Sequence, residues 1–90
     1  MRVTVRFFAR LRELAGTAES TCDVAAGATI GDVWTTLVGR HPALEPYGRS
    51  ISCAQNAEFA RMTTIVRDGD DVAFLPPVSG HPGRTGPWQE

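Results

Sequence analysis

Asp68-Gly69-Asp70-Asp71-Val72-Ala73-Phe74-Leu75-Pro76-Pro77-Val78-Ser79-Gly80 is the stretch whose reading decides the fold. Asp68-Gly69-Asp70 reads as a tight turn, with Gly69 free to take a positive φ. Val72 through Leu75 is a short run that is apolar on both faces, as a strand in the middle of a sheet requires. Pro76-Pro77 then ends the pairing, because neither residue has an N–H to give to a ladder. From Val78 onward the chain is small and rich in Gly and Pro. Residues 1–78 are therefore expected to form one folded domain, and residues 79–90 an arm and tail that leave it.

The rest of the chain supplies partners for that central strand. Residues 2–8 alternate: Val3, Val5 and Phe7 face one way, and Arg2, Thr4, Arg6 and Phe8 the other. Period two marks a half-buried strand, and Phe8 breaks its polar face. Residues 9–15 change period; Leu11, Leu14 and Ala15 share one face of a short helix, with Gly16 placed as its C-terminal cap. Residues 18–24 alternate again, with Ala18, Ser20, Cys22 and Val24 inward, and are expected to pair antiparallel with the first strand. Thr29 reads as an N-cap with Asp32 completing a capping box. Ile30, Val33, Trp34, Leu37 and Val38 follow at helical spacing, and Gly39, Arg40 and Pro42 end the run. Trp34 reads as core.

Residues 41–50 are expected to be a loop with at most one helical turn. Residues 51–55 read as a third strand, 56–61 as a turn with Phe59 near its tip, and 62–66 as a short fourth strand or extended edge. The class is α+β: a mixed four- to five-stranded sheet with one main helix packed on one face.

Ninety residues make one domain with one core. A net charge of −1 gives no electrostatic footprint for nucleic acid or an anionic membrane. No apolar run approaches the ~20 residues of a membrane span. The start, Met1-Arg2-Val3, is already strand-like, no signal-peptide pattern precedes it, and a cytoplasmic location is expected. Cys22 and Cys53 lie far apart without metal-ligand spacing, and read as buried free thiols. No Ser/His/Asp set, phosphate loop or carboxylate pair stands out, and His41 and His81 read as a loop and a tail residue without chemistry. All nine basic residues are Arg, so no side-chain amine is present to accept an acyl group.

The pieces Phe7-Phe8-Ala9, Leu11-Arg12-Glu13, Ala15-Gly16, Gly27-Ala28-Thr29, Asn56 and Asp68 through Gly80 come in an order and spacing that resembles the β-grasp sulfur carriers. This is the ubiquitin-like family of the small subunit of molybdopterin synthase (MoaD) and the thiamine sulfur carrier (ThiS). The resemblance covers residues 2–80. It implies a ubiquitin-like β-grasp fold and a carrier with no catalytic residues and no bound cofactor of its own. It also implies a terminal glycine carboxylate adenylated by an ATP-dependent activating enzyme of the ubiquitin-activating type. Sulfur then replaces AMP to leave a thiocarboxylate, which the large synthase subunit uses to build the dithiolene of molybdopterin.

The resemblance places the sulfur-carrying arm at Val78, Ser79 and Gly80, on a stem of Pro76 and Pro77. It also implies an apolar docking patch of Phe8, Phe59 and Leu75, which would meet the activating enzyme and the large subunit. Alternation independently puts Phe8 and Leu75 on the face opposite the helix, and three large exposed apolar groups there would mark an interface. The family ends in Gly-Gly, whereas here Gly80 is followed by His81 and nine further residues. Three readings stay open: a protease removes the tail after Gly80, the chain is a ubiquitin-like interaction module without sulfur chemistry, or the tail is foreign to the native protein. A carrier for a thiamine-type or cysteine-type sulfur pathway is a further alternative.

Overall fold

The computed structural model describes residues 1–77. Five strands, β1 (Arg2–Phe7), β2 (Glu19–Asp23), β3 (Ser52–Gln55), β4 (Glu58–Ala60) and β5 (Asp71–Leu75), form one mixed sheet in the order β2-β1-β5-β3-β4. The apolar run expected at the centre is at the centre. β5 runs parallel to β1, with Val5 opposite Val72 and Phe7 opposite Phe74, and antiparallel to β3, with Cys53 opposite Phe74. β2 pairs antiparallel with β1, as its alternation implied.

Helix α1 (Arg10–Ala15) ends on Gly16 in the left-handed conformation, where the Gly16 N–H donates to the Arg12 carbonyl. Helix α2 (Ile30–Arg40) lies across one face. Its capping box is complete: Thr29 Oγ1 accepts from the Asp32 N–H at 3.2 Å, and the Thr29 N–H donates to Asp32 Oδ2 at 2.9 Å. Ile30, Val33, Trp34 and Leu37 are buried against Val3, Val5, Phe7, Cys22, Val72 and Phe74 in one cluster. Both thiols are buried and unpaired, and desolvation pushes both pKa values up.

Three local expectations are corrected. Residues 62–66 form no ladder strand; a single bridge joins Thr29 and Ile65. Their backbone serves the start of α2 instead. The Met62 carbonyl accepts from the Gly31 N–H at 2.8 Å and the Thr64 carbonyl from the Ile30 N–H at 2.9 Å. These are two of the donors that the first turn of a helix leaves unpartnered. Glycine eases the close approach, since a Cβ on Gly31 would sit a tight 3.2 Å from the Met62 oxygen. Second, residues 42–47 form a 3-10 helix rather than a loop with one turn, and it buries Leu44.

Third, the turn after β3 is shorter than its sequence suggests. Asn56 and Ala57 both have positive φ, 51° and 71°, and close a two-residue hairpin. That conformation matches the right-handed twist of its flanking strands. Phe59 consequently lies on β4, opposite Ala54, and not at a loop tip.

Candidate functional site

The face of the sheet away from α2 is where the alternation of β1 and β5 directs Phe8 and Leu75. Register makes this face a set of cross-strand rows. Arg6 stands opposite Glu19 on one side and Ala73 on the other, Ala73 opposite Ala54, and Ala54 opposite Phe59. Phe8, one residue past β1, donates its N–H to the Phe74 carbonyl at 3.3 Å and packs against Ala54, Ala73 and Leu75 in a second, smaller apolar cluster.

The expected patch is only partly exposed. Phe59 is 57% exposed and stands out at the sheet edge, but Leu75 is 8% exposed and Phe8 is half-buried. The register accounts for this: the parallel pairing that sets Phe7 beside Phe74 also brings Phe8 beside Leu75, and the two shield each other. Ala54 and Ala73 are also buried, so Phe59 is the large apolar side chain that this strip exposes.

Charge borders the strip. Arg6 Nε donates to Asp71 Oδ2 at 2.7 Å, and Arg6 Nη1 lies 3.2 Å from Glu19 Oε1. The Asp71 hydrogen bond and charge, with a smaller contribution from Glu19, hold the guanidinium even more firmly protonated than usual. Both pairs are solvent-exposed, so their value lies in orienting charge rather than in stability. A surface notch of about 320 Å³ opens beside them, lined by Arg6, Asn56, Ala57, Asp71 and Ala73.

β5 carries the chain out of this face. Pro76 is half-buried and Pro77 exposed, and the ladder stops where the prolines begin. Val78, Ser79 and Gly80, the expected arm, lie outside the described residues. Among the described residues no group of His, Cys, Asp and Glu is placed to hold a metal, and no helix is long and apolar enough to cross a membrane.

One feature of the site went unread in the sequence. Asp70, in the turn before β5, accepts hydrogen bonds from Gln55 Nε2 at 2.7 Å, Asn56 Nδ2 at 3.2 Å and the Arg67 N–H at 2.8 Å. Burial pushes this carboxyl up. The Arg67 N–H, the Asn56 and Gln55 amides and the Arg67 charge together outweigh that and hold it below its ordinary value. The signal that could have found it was an Asn at a turn position 14 residues earlier, paired with an Asp in a glycine turn.

The five-stranded order with one crossing helix and a central exit strand matches known proteins. The model of the ThiS family matches residues 5–80. The chain belongs to the ThiS family. Its match ends at Gly80, so residues 81–90 lie beyond the family's span. The chain is 37% identical to a molybdopterin synthase sulfur carrier subunit of Chlamydomonas reinhardtii, over 89% of this chain and 99% of that one.

It is also 40% identical to small archaeal modifier protein 1 of Haloferax volcanii, over 83% and 95%. A crystal structure of that modifier superposes with a TM-score of 0.77 at 34% identity, covering 86% and 98% of the two chains. A chain of the crystal structure of the Amycolatopsis orientalis BexX/CysO complex is similar at a TM-score of 0.67 and 26% identity, over 88% and 99%. The ubiquitin-like β-grasp fold and membership in the group of ThiS and MoaD carriers follow from these matches together with the sheet order.

Proposed function

We propose that this ThiS-family chain is the sulfur carrier of molybdopterin synthesis, bearing its sulfur as a thiocarboxylate on Gly80. The observation that supports this best is the coincidence of two boundaries. The family match stops at Gly80, and the last strand releases the chain through Pro76-Pro77 only three residues earlier. Proline pairs at that point keep the stem extended and reduce the entropy lost when an arm is inserted into a channel. Glycine at the reacting position leaves no Cβ to obstruct that channel.

On this reading an ATP-dependent activating enzyme forms the Gly80 acyl-adenylate, and a sulfur donor displaces AMP. The large subunit of molybdopterin synthase then receives the arm. The outer face, with Phe59 raised, the Phe8–Leu75 pair and the Arg6–Asp71 ion pair, is the surface both partners use. A protease first cuts after Gly80, because the chain continues there into His81 and Gly80 has no free carboxylate until it is released. The chain itself binds no cofactor; ATP belongs to the activating enzyme.

The relation to an archaeal modifier protein favours a second reading, a ubiquitin-like module that acts by binding or attachment without feeding a pterin. Intact mass of the protein from its own host separates the two. The carrier reading expects truncation after Gly80 with a mass increase of one sulfur-for-oxygen exchange. A chain found only at full length, never adenylated, would favour the binding module.

A further inference from the structure

The β3–β4 hairpin raises Phe59 from the edge of the sheet, and among the described residues β4 pairs only with β3. Three residues of edge strand give such a hairpin little hold of its own. Its turn is anchored from below by polar contacts. Asp70 gathers Gln55 at the end of β3, Asn56 in the turn and the Arg67 N–H, while its own carbonyl accepts from the Thr4 N–H of β1 at 2.9 Å. Asn56 is gripped a second time by Asp71: its N–H donates to the Asp71 carbonyl at 2.7 Å, and its Oδ1 accepts the Asp71 N–H at 3.0 Å. The Asp70 carboxylate therefore ties the hairpin to the turn before β5, the Asp70 carbonyl ties that turn to β1, and the Asp71 backbone ties Asn56 to the start of β5.

We propose that Asp70 is a positioning residue for docking on the outer face: through Asn56 and Gln55 it fixes the hairpin so that Phe59 stands in line with Ala54 and Ala73. The inference rests on reading that face as the docking surface. Charge-assisted bonds of this kind are shorter and stronger than neutral ones, and three donors on one carboxylate leave the turn few alternative orientations. Phe59 is the exposed large apolar group of that strip, so a loosened hairpin misplaces the contact a partner would seat most deeply.

The test uses the full chain and its Asp70→Ala, Asn56→Gly and Phe59→Ala variants. Native-state hydrogen exchange should show amides of residues 58–60 opening at least about tenfold faster in Asp70→Ala, with β1 and β5 nearly unchanged. Asn56→Gly keeps the positive φ and removes both side-chain links, so it should do the same, and it decides the matter if Asp70→Ala does not fold. Binding to the large subunit of molybdopterin synthase from the same organism should weaken roughly fivefold to tenfold in Asp70→Ala, with no further loss on the Phe59→Ala background.

Uniform acceleration across the sheet, or strictly additive binding losses, would overturn the proposal. Unchanged binding by Phe59→Ala would instead remove the docking reading, while the exchange pattern would still decide whether Asp70 holds the hairpin.

Discussion

The Trp34 indole rests on the Phe74 ring, with centroids 5.0 Å apart and planes inclined at 55°. This contact joins the one long helix to the central strand, which leads into Pro76-Pro77. Tilted aromatic pairs at this distance contribute about 0.5–1.5 kcal/mol beyond the area they bury. Phe74→Leu should therefore cost about 1–2 kcal/mol, and Phe74→Ala about 3–5 kcal/mol because it also opens a cavity. Urea unfolding should show a lower midpoint for Phe74→Leu with an unchanged slope.

The hairpin turn holds an unfavourable residue. Ala57 sits at φ 71°, where an L side chain crowds its own backbone and glycine does not. Ala57→Gly should stabilise the protein by about 0.5–1 kcal/mol, the relief of strain being partly offset by a more flexible unfolded chain. A thermal scan should find a higher Tm than wild type; a lower one would mean that the turn does not need glycine geometry.

Acid should act through Asp70. Its carboxyl is held below its ordinary value of 3.8 in the folded state, so its contribution is complete above that value. The contribution is lost as pH falls through the lower folded value, where the native state must take up a proton against its hydrogen bonds. Asp70→Asn should be less stable than wild type near neutrality, and the gap should narrow below about pH 4. Urea midpoints of both proteins across that range check the sign.

Phe59 and Leu75 should part company under mutation. Phe59 is mostly exposed, so Phe59→Ser should change stability by less than about 0.5 kcal/mol while sharply weakening partner binding. Leu75 is buried against Phe8, Ala54 and Ala73, so Leu75→Ala should cost about 2 kcal/mol or more in stability as well. Calorimetric titration alongside unfolding curves would separate the two effects.

These contrasts show where the sequence was legible. Strong periodicity marked β1 and α2 with their buried faces, because burial of alternate or helically spaced side chains is what those patterns encode. It also marked β2, but of its expected inward set Cys22 is buried, Ser20 and Val24 are half-buried and Ala18 is exposed. The complete capping box and the double proline marked two boundaries correctly. Residues 62–66 misled because an extended segment has the same composition whether its carbonyls meet a strand or the first turn of a helix. Asn56-Ala57 misled because Ala gives no sign of positive φ. Leu75 looked exposed by face alone; only the parallel register, which no local pattern shows, sets Phe8 beside it. The Asp70 anchor joins residues far apart in the chain, and such contacts leave no local periodicity to read.

The central claim is that this domain exists to present Gly80 for activation. The most direct measurement is pyrophosphate release by the ATP-dependent activating enzyme of the same organism, supplied with a chain ending at Gly80 and, separately, with the full chain ending at Glu90. The account predicts ATP-dependent release, and a Gly80 thiocarboxylate once a sulfur donor is added, with the shortened chain alone. Release that is equal for both chains, or absent for the one ending at Gly80, would contradict it.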